Sequence, residues 1–154
     1  MKIHNHILIL CAAAILLLPA FSSCKDKAVN TDTTPQSAAA QRDINAIVTT
    51  IDNYTLSVSN ATSVEEIFEL DTEFAQGVGK YANSKEPVNE ADRQTVLAAC
   101  ERHSITINGR IKELSGEAPM TLEQIQQNKD QLAADLNNCK TVGQIVQIAG
   151  GSAE

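Results

Sequence analysis

The chain has 154 residues, enough for one domain with extensions, and only 3% of them are aromatic. Nineteen acidic side chains against twelve basic ones leave a formal charge of −7. Such a balance repels nucleic-acid phosphates and anionic lipid headgroups alike, so the composition argues against a nucleic-acid binder and against membrane attachment by charge.

The first 24 residues form one unit. Lys2 supplies a fixed positive charge, His4 and His6 add weak basicity, and Ile7 to Leu18 make an uninterrupted apolar run. Its twelve residues fall short of the ~20 that a bilayer span requires. Pro19 ends the run, and small Ser22 and Ser23 precede Cys24. The closing Phe21-Ser22-Ser23-Cys24 resembles the cleavage site of a bacterial lipoprotein signal peptide, with Phe21 standing where Leu is usual. The resemblance implies cleavage before Cys24, a diacylglycerol on its sulfur and acylation of the new amine. Residues 1–23 would then be lost and several acyl chains would anchor the remainder at about 0.8 kcal/mol per buried CH₂. An ordinary secretory signal cut after Ala20 or Ser23 is the alternative, and it also exports the chain. Lys25 after the cysteine resembles outer-membrane rather than inner-membrane cargo, where Asp is the usual retention residue.

Residues 24–41 read as a lipidated N-terminus followed by a flexible tether. Lys25-Asp26-Lys27 is charged, and Asn30 to Ser37 carries no apolar period that could offset the entropy of ordering. Within it, Asp32-Thr33-Thr34 is similar to a short O-glycosylation motif of some Gram-negative envelope proteins, and reads equally as plain linker.

Helical periodicity takes over in residues 42–150. Ile44, Ile47, Ile51, Tyr54 and Val58 recur every three or four residues, as do Val64, Ile67, Leu70, Phe74, Val78 and Tyr81. A third stripe runs Leu97, Cys100, Ser104, Ile107, Ile111, Leu114, and a fourth runs Leu122, Ile125, Lys129, Leu132, Leu136, Cys139. The boundaries carry cap chemistry. Ser63 with Glu66 and Thr121 with Gln124 have capping-box spacing, Asn89 is an N-cap, Gly116 a stop, and Thr141 opens a short last helix from Ile145 to Ala149. Four amphipathic helices bury their stripes only against one another, so the expected fold is all-α, an up-down four-helix bundle with a short fifth helix.

With Cys11 in the signal and Cys24 lipidated, Cys100 and Cys139 remain as thiols. An even pair in an exported chain predicts a disulfide between the third and fourth helices; two buried free thiols are the alternative. Cys100 and His103 have metal-ligand spacing, but no fourth ligand or Cys-x-x-Cys accompanies them. Covalent haem attachment by Cys-x-x-Cys-His has no match, nor do the glycine loops and nucleophile motifs of common enzymes. The sequence therefore predicts no cofactor, no metal and no catalysis.

Glu65, Glu66, Glu69 and Glu73 share the second helix with Asp71, and Phe68 lies off its apolar stripe. An acid run of this kind is ordinarily a solvated face. Its functional reading is a partner-binding surface with Phe68 as the anchor. The expectation is thus a lipid-anchored, non-catalytic helical module at a bacterial envelope that holds an envelope protein, with an inhibitor or immunity protein using the acidic helix as the alternative.

Overall fold

The computed structural model describes residues 37–150. The signal residues 1–23, Cys24, and the tether as far as residue 36 lie outside the described residues. Five helices follow in order: α1 (Ala38–Asn60), α2 (Val64–Gly79), α3 (Glu90–Ser115), α4 (Leu122–Asn137) and α5 (Val142–Ala149). Among the described residues the only β-type pairing is an isolated antiparallel bridge between Pro87 and Thr141.

Helix α1 begins at Ala38, inside the segment read as tether. Ser37 starts it by accepting a hydrogen bond from the Ala40 amide at 2.9 Å and donating its hydroxyl to the Glu86 carboxylate at 2.6 Å. The three alanines that follow favour helix intrinsically, and Ala40 is fully buried. The first helix therefore starts ahead of residue 42, with Ser37 as its cap. All five apolar positions expected in this helix, Ile44, Ile47, Ile51, Tyr54 and Val58, are buried.

The other helices start where the sequence places their caps. Ser63 accepts from the Glu66 amide, while the Glu66 carboxylate accepts chiefly from the Thr62 amide and hydroxyl. Asn89 with Asp92, Thr121 with Gln124 and Thr141 with Gln144 are complete reciprocal boxes. Gly116 ends α3 at φ 84°, and its amide donates to the Lys112 carbonyl at 2.8 Å.

Helix α3 is the hub. It packs most extensively on α1 and then on α4; α2 leans on α1 and touches α3 only slightly. Cross-helix pairs give the directions. Asp52 meets Arg102, Thr55 meets His103 and the Ala61 carbonyl meets Arg110, so α1 and α3 run parallel. Asn108 meets Met120, Glu101 meets Lys129 and Arg93 meets Cys139, so α4 returns along α3. Helix α5 packs on α4, α1 and α3.

Because α3 is covered from two directions, its buried face is wider than one stripe. Val96, Ala99, His103 and Asn108 join Cys100, Ile107 and Ile111 in the interior, while Leu97 and Leu114 are half-buried. At the first position of α4, Leu122 is 85% exposed and lies off the core-facing stripe assigned to it.

Long-range backbone bonds close the end at which α1 and α3 begin. The Val88 amide donates to the Lys140 carbonyl at 3.1 Å, that of Val142 to Glu86 at 3.0 Å, and that of Gly143 to Ser84 at 3.1 Å. A Cβ at Gly143 would lie 2.6 Å from the Ala82 oxygen and 2.7 Å from that of Ser84. Glycine is required here by the close approach of two backbone segments.

Candidate functional site

The expected partner face on α2 divides by exposure. Glu65, Glu69 and Glu73 point to solvent, whereas Glu66 and Phe68 are half-buried. The Glu66 carboxylate accepts from the Thr62 amide at 2.6 Å and from the Thr62 hydroxyl at 2.9 Å. These bonds, the backbone one first, hold its carboxyl below the usual carboxylate range. Glu66 is thus occupied in fastening the α1–α2 connection, which leaves three acids on the outer face.

Large apolar side chains are exposed elsewhere. Leu56 on α1 is 62% exposed and Ile105 on α3 is 56% exposed. Each follows by about one turn a member of the Arg102–Asp52 ion pair, whose atoms are 2.8 Å apart. Sequence reasoning passed over both. The signal was available, since Leu56 falls between the buried positions of α1 and Ile105 is out of step with Cys100, Ile107 and Ile111.

The expected disulfide is not formed: Cys100 and Cys139 are both buried, and no disulfide joins them. Helix α4 ends at Asn137, so Cys139 lies beyond the cap residue Asn138 and not on the helical stripe. Its sulfur is directed at the Asp135 carbonyl, 3.6 Å away. Its carbonyl is held by Arg93, seven residues or roughly 10 Å before Cys100 along α3. Burial pushes the Cys139 thiol up, which suppresses thiolate reactivity.

The densest polar chemistry lies inside, where α1, α2 and α3 meet. Tyr54 of α1 stacks on Phe74 of α2, with ring centroids 4.7 Å apart, and against His103 of α3 at 4.8 Å. The Tyr54 hydroxyl donates to the Asp71 carboxylate. Burial pushes the Asp71 carboxyl up to about 6, although the Tyr54 hydrogen bond opposes the shift. Burial likewise pushes His103 down to about 4. His103 thus serves the core, and the described residues contain no group of three or more His, Cys, Asp or Glu side chains placed to hold a metal ion.

Compared with known protein families, with curated proteins and with solved structures, the chain gives no match. Among the described residues no helix is long and apolar enough to cross a membrane.

Proposed function

We propose that the protein is a lipid-anchored, non-catalytic helical module that binds an envelope protein at a bacterial cell envelope, at the outer rather than the inner membrane. The observation that carries this reading is Phe21-Ser22-Ser23-Cys24 at the end of a short apolar run. Acyl chains on Cys24 would make the membrane contact, since the acidic chain gains nothing from anionic headgroups. The stretch from Cys24 to Ser37 reaches at most about 45 Å when extended.

The alternating helix directions support an up-down arrangement of the four long helices. The tether joins the domain at Ser37, beside the starts of α1 and α3. Glu65 and Glu69 lie toward the other end, where α1 passes into α2, and Leu56 lies one turn from the end of α1. A lipid anchor at the Ser37 end leaves these residues directed away from the bilayer, which suits the capture of a partner. If the partner is a basic toxin or enzyme, the exposed acids Glu65, Glu69 and Glu73 would make the protein an inhibitor or immunity factor.

Cross-linking in native membranes tests the reading. A specific protein partner is expected to be captured by the wild type and lost from either Glu65→Lys/Glu69→Lys or Leu56→Ser/Ile105→Ser. The first pair failing, with association slowing steeply as salt rises, selects the inhibitor. The second pair failing, with little salt dependence, selects the assembly module. Capture unaffected in both removes both faces from consideration.

A further inference from the structure

Asn108 is followed by Gly109, the one Asn-Gly pair in the 154-residue sequence. In an unfolded chain such a pair is reactive, because a residue without Cβ lets its backbone nitrogen swing onto the side-chain carbonyl carbon before it. Here the pair lies inside α3, and Asn108 is only 9% exposed. Its side-chain amide grips the backbone of Met120 from both sides. Oδ1 accepts from the Met120 amide at 2.9 Å, and Nδ2 donates to the Met120 carbonyl at 3.2 Å. This clamp needs one acceptor and one donor on the same short side chain, which an amide supplies and a carboxylate does not. Met120 immediately precedes Thr121, the cap of α4, so the clamp fixes where α4 begins its return along α3.

We propose that Asn108-Gly109 is a self-modification site silenced by folding: the unfolded chain converts Asn108 unaided, and the converted chain has lost the clamp with which it folds. The Gly109 nitrogen forms a bond to Asn108 Cγ, and its proton leaves with the side-chain nitrogen as ammonia. Water then opens the resulting five-membered imide, giving its hydroxyl to one carbonyl carbon and its proton to the ring nitrogen. Opening at Cγ yields aspartate. Opening at the backbone carbonyl yields isoaspartate, with one more carbon in the main chain. One water is consumed and one ammonia released, with no change of oxidation state.

The fold opposes the first bond and suffers from the last product. Helical dihedrals hold the Gly109 nitrogen in the backbone ladder and away from Cγ, while Met120 holds the amide on the far side. After conversion to aspartate, the Met120 carbonyl loses its donor and faces a negatively charged oxygen in a buried place. Isoaspartate also carries the following residues out of helical register, among them Ile111, which is 3% exposed in the core.

Mass mapping of the full chain tests the site. Protein is held at mildly alkaline pH in buffer or in guanidinium chloride, and the tryptic peptide His103–Arg110 is followed. Conversion is expected in denaturant and at least about a hundredfold more slowly in buffer, where it must wait for the chain to open. On return to buffer, the fraction that regains its circular dichroism should fall in step with the converted fraction. Gly109→Ala is the folded control, since its added methyl meets nothing within 4 Å in the structure and yet hinders the attack in the open chain. It is expected to convert more slowly in denaturant and to keep its refolding yield. Equal rates in buffer and denaturant would overturn silencing by the fold. Converted chains that refold with wild-type stability, or Gly109→Ala losing its yield without conversion, would overturn the role of the clamp.

Discussion

Arg93 in the first turns of α3 donates to the carbonyl of Cys139 at 3.1 Å, tying the start of one helix to the connector between two others. The side chain is 5% exposed and also reaches the Glu90 carboxylate at 3.1 Å. Arg93→Met keeps much of the aliphatic volume but leaves that carbonyl without its charged donor. It is expected to destabilise the domain by about 2 kcal/mol, measured by urea unfolding. A loss under roughly 0.5 kcal/mol would remove this contact from the determinants of the fold.

Two glycines make opposite predictions. Gly143→Ala drives a methyl into the Ala82 and Ser84 carbonyls and must displace the Gly143–Ser84 hydrogen bond, at a cost of about 2 kcal/mol. Gly109 lies inside α3, and a Cβ there meets nothing within 4 Å. Gly109→Ala is expected to stabilise by roughly 0.5–1 kcal/mol. Thermal melts of the two variants should therefore move in opposite directions from the wild type.

Free thiols are a direct chemical expectation. Protein unfolded without reductant should take up alkylating reagent at both Cys100 and Cys139, read by intact mass and peptide mapping. In the folded state both should react slowly, and Cys139 should resist mildly alkaline reagent because burial raises its thiol. A mass two hydrogens lighter, with no alkylation at either residue, would mean that the chain carries the disulfide after all.

What was legible in the sequence follows from how locally each feature is determined. Helix α1 buries Ile44, Ile47, Ile51, Tyr54 and Val58 as their spacing requires, because one face of one helix carries the pattern. The caps at Ser63, Asn89, Thr121 and Thr141 depend on a few adjacent residues and were equally readable. Helix α3 was harder, since a helix covered on two sides has no single stripe, and His103 took the interior place assigned to Ser104. The pairing of residues 84–88 with 140–143 is carried by backbone groups, which leave no side-chain pattern. The Tyr54–Asp71–His103 cluster joins three helices, and nothing local relates its members.

Membrane partitioning of Cys24→Ser, followed by fractionation beside the wild type, bears most directly on the proposed lipid anchor. The wild type is expected in the membrane fraction after high-salt and alkaline washes, and the variant in the soluble fraction with an unchanged helical circular dichroism spectrum. A Cys24→Ser protein that stays with the membranes through both washes would contradict attachment by acyl chains.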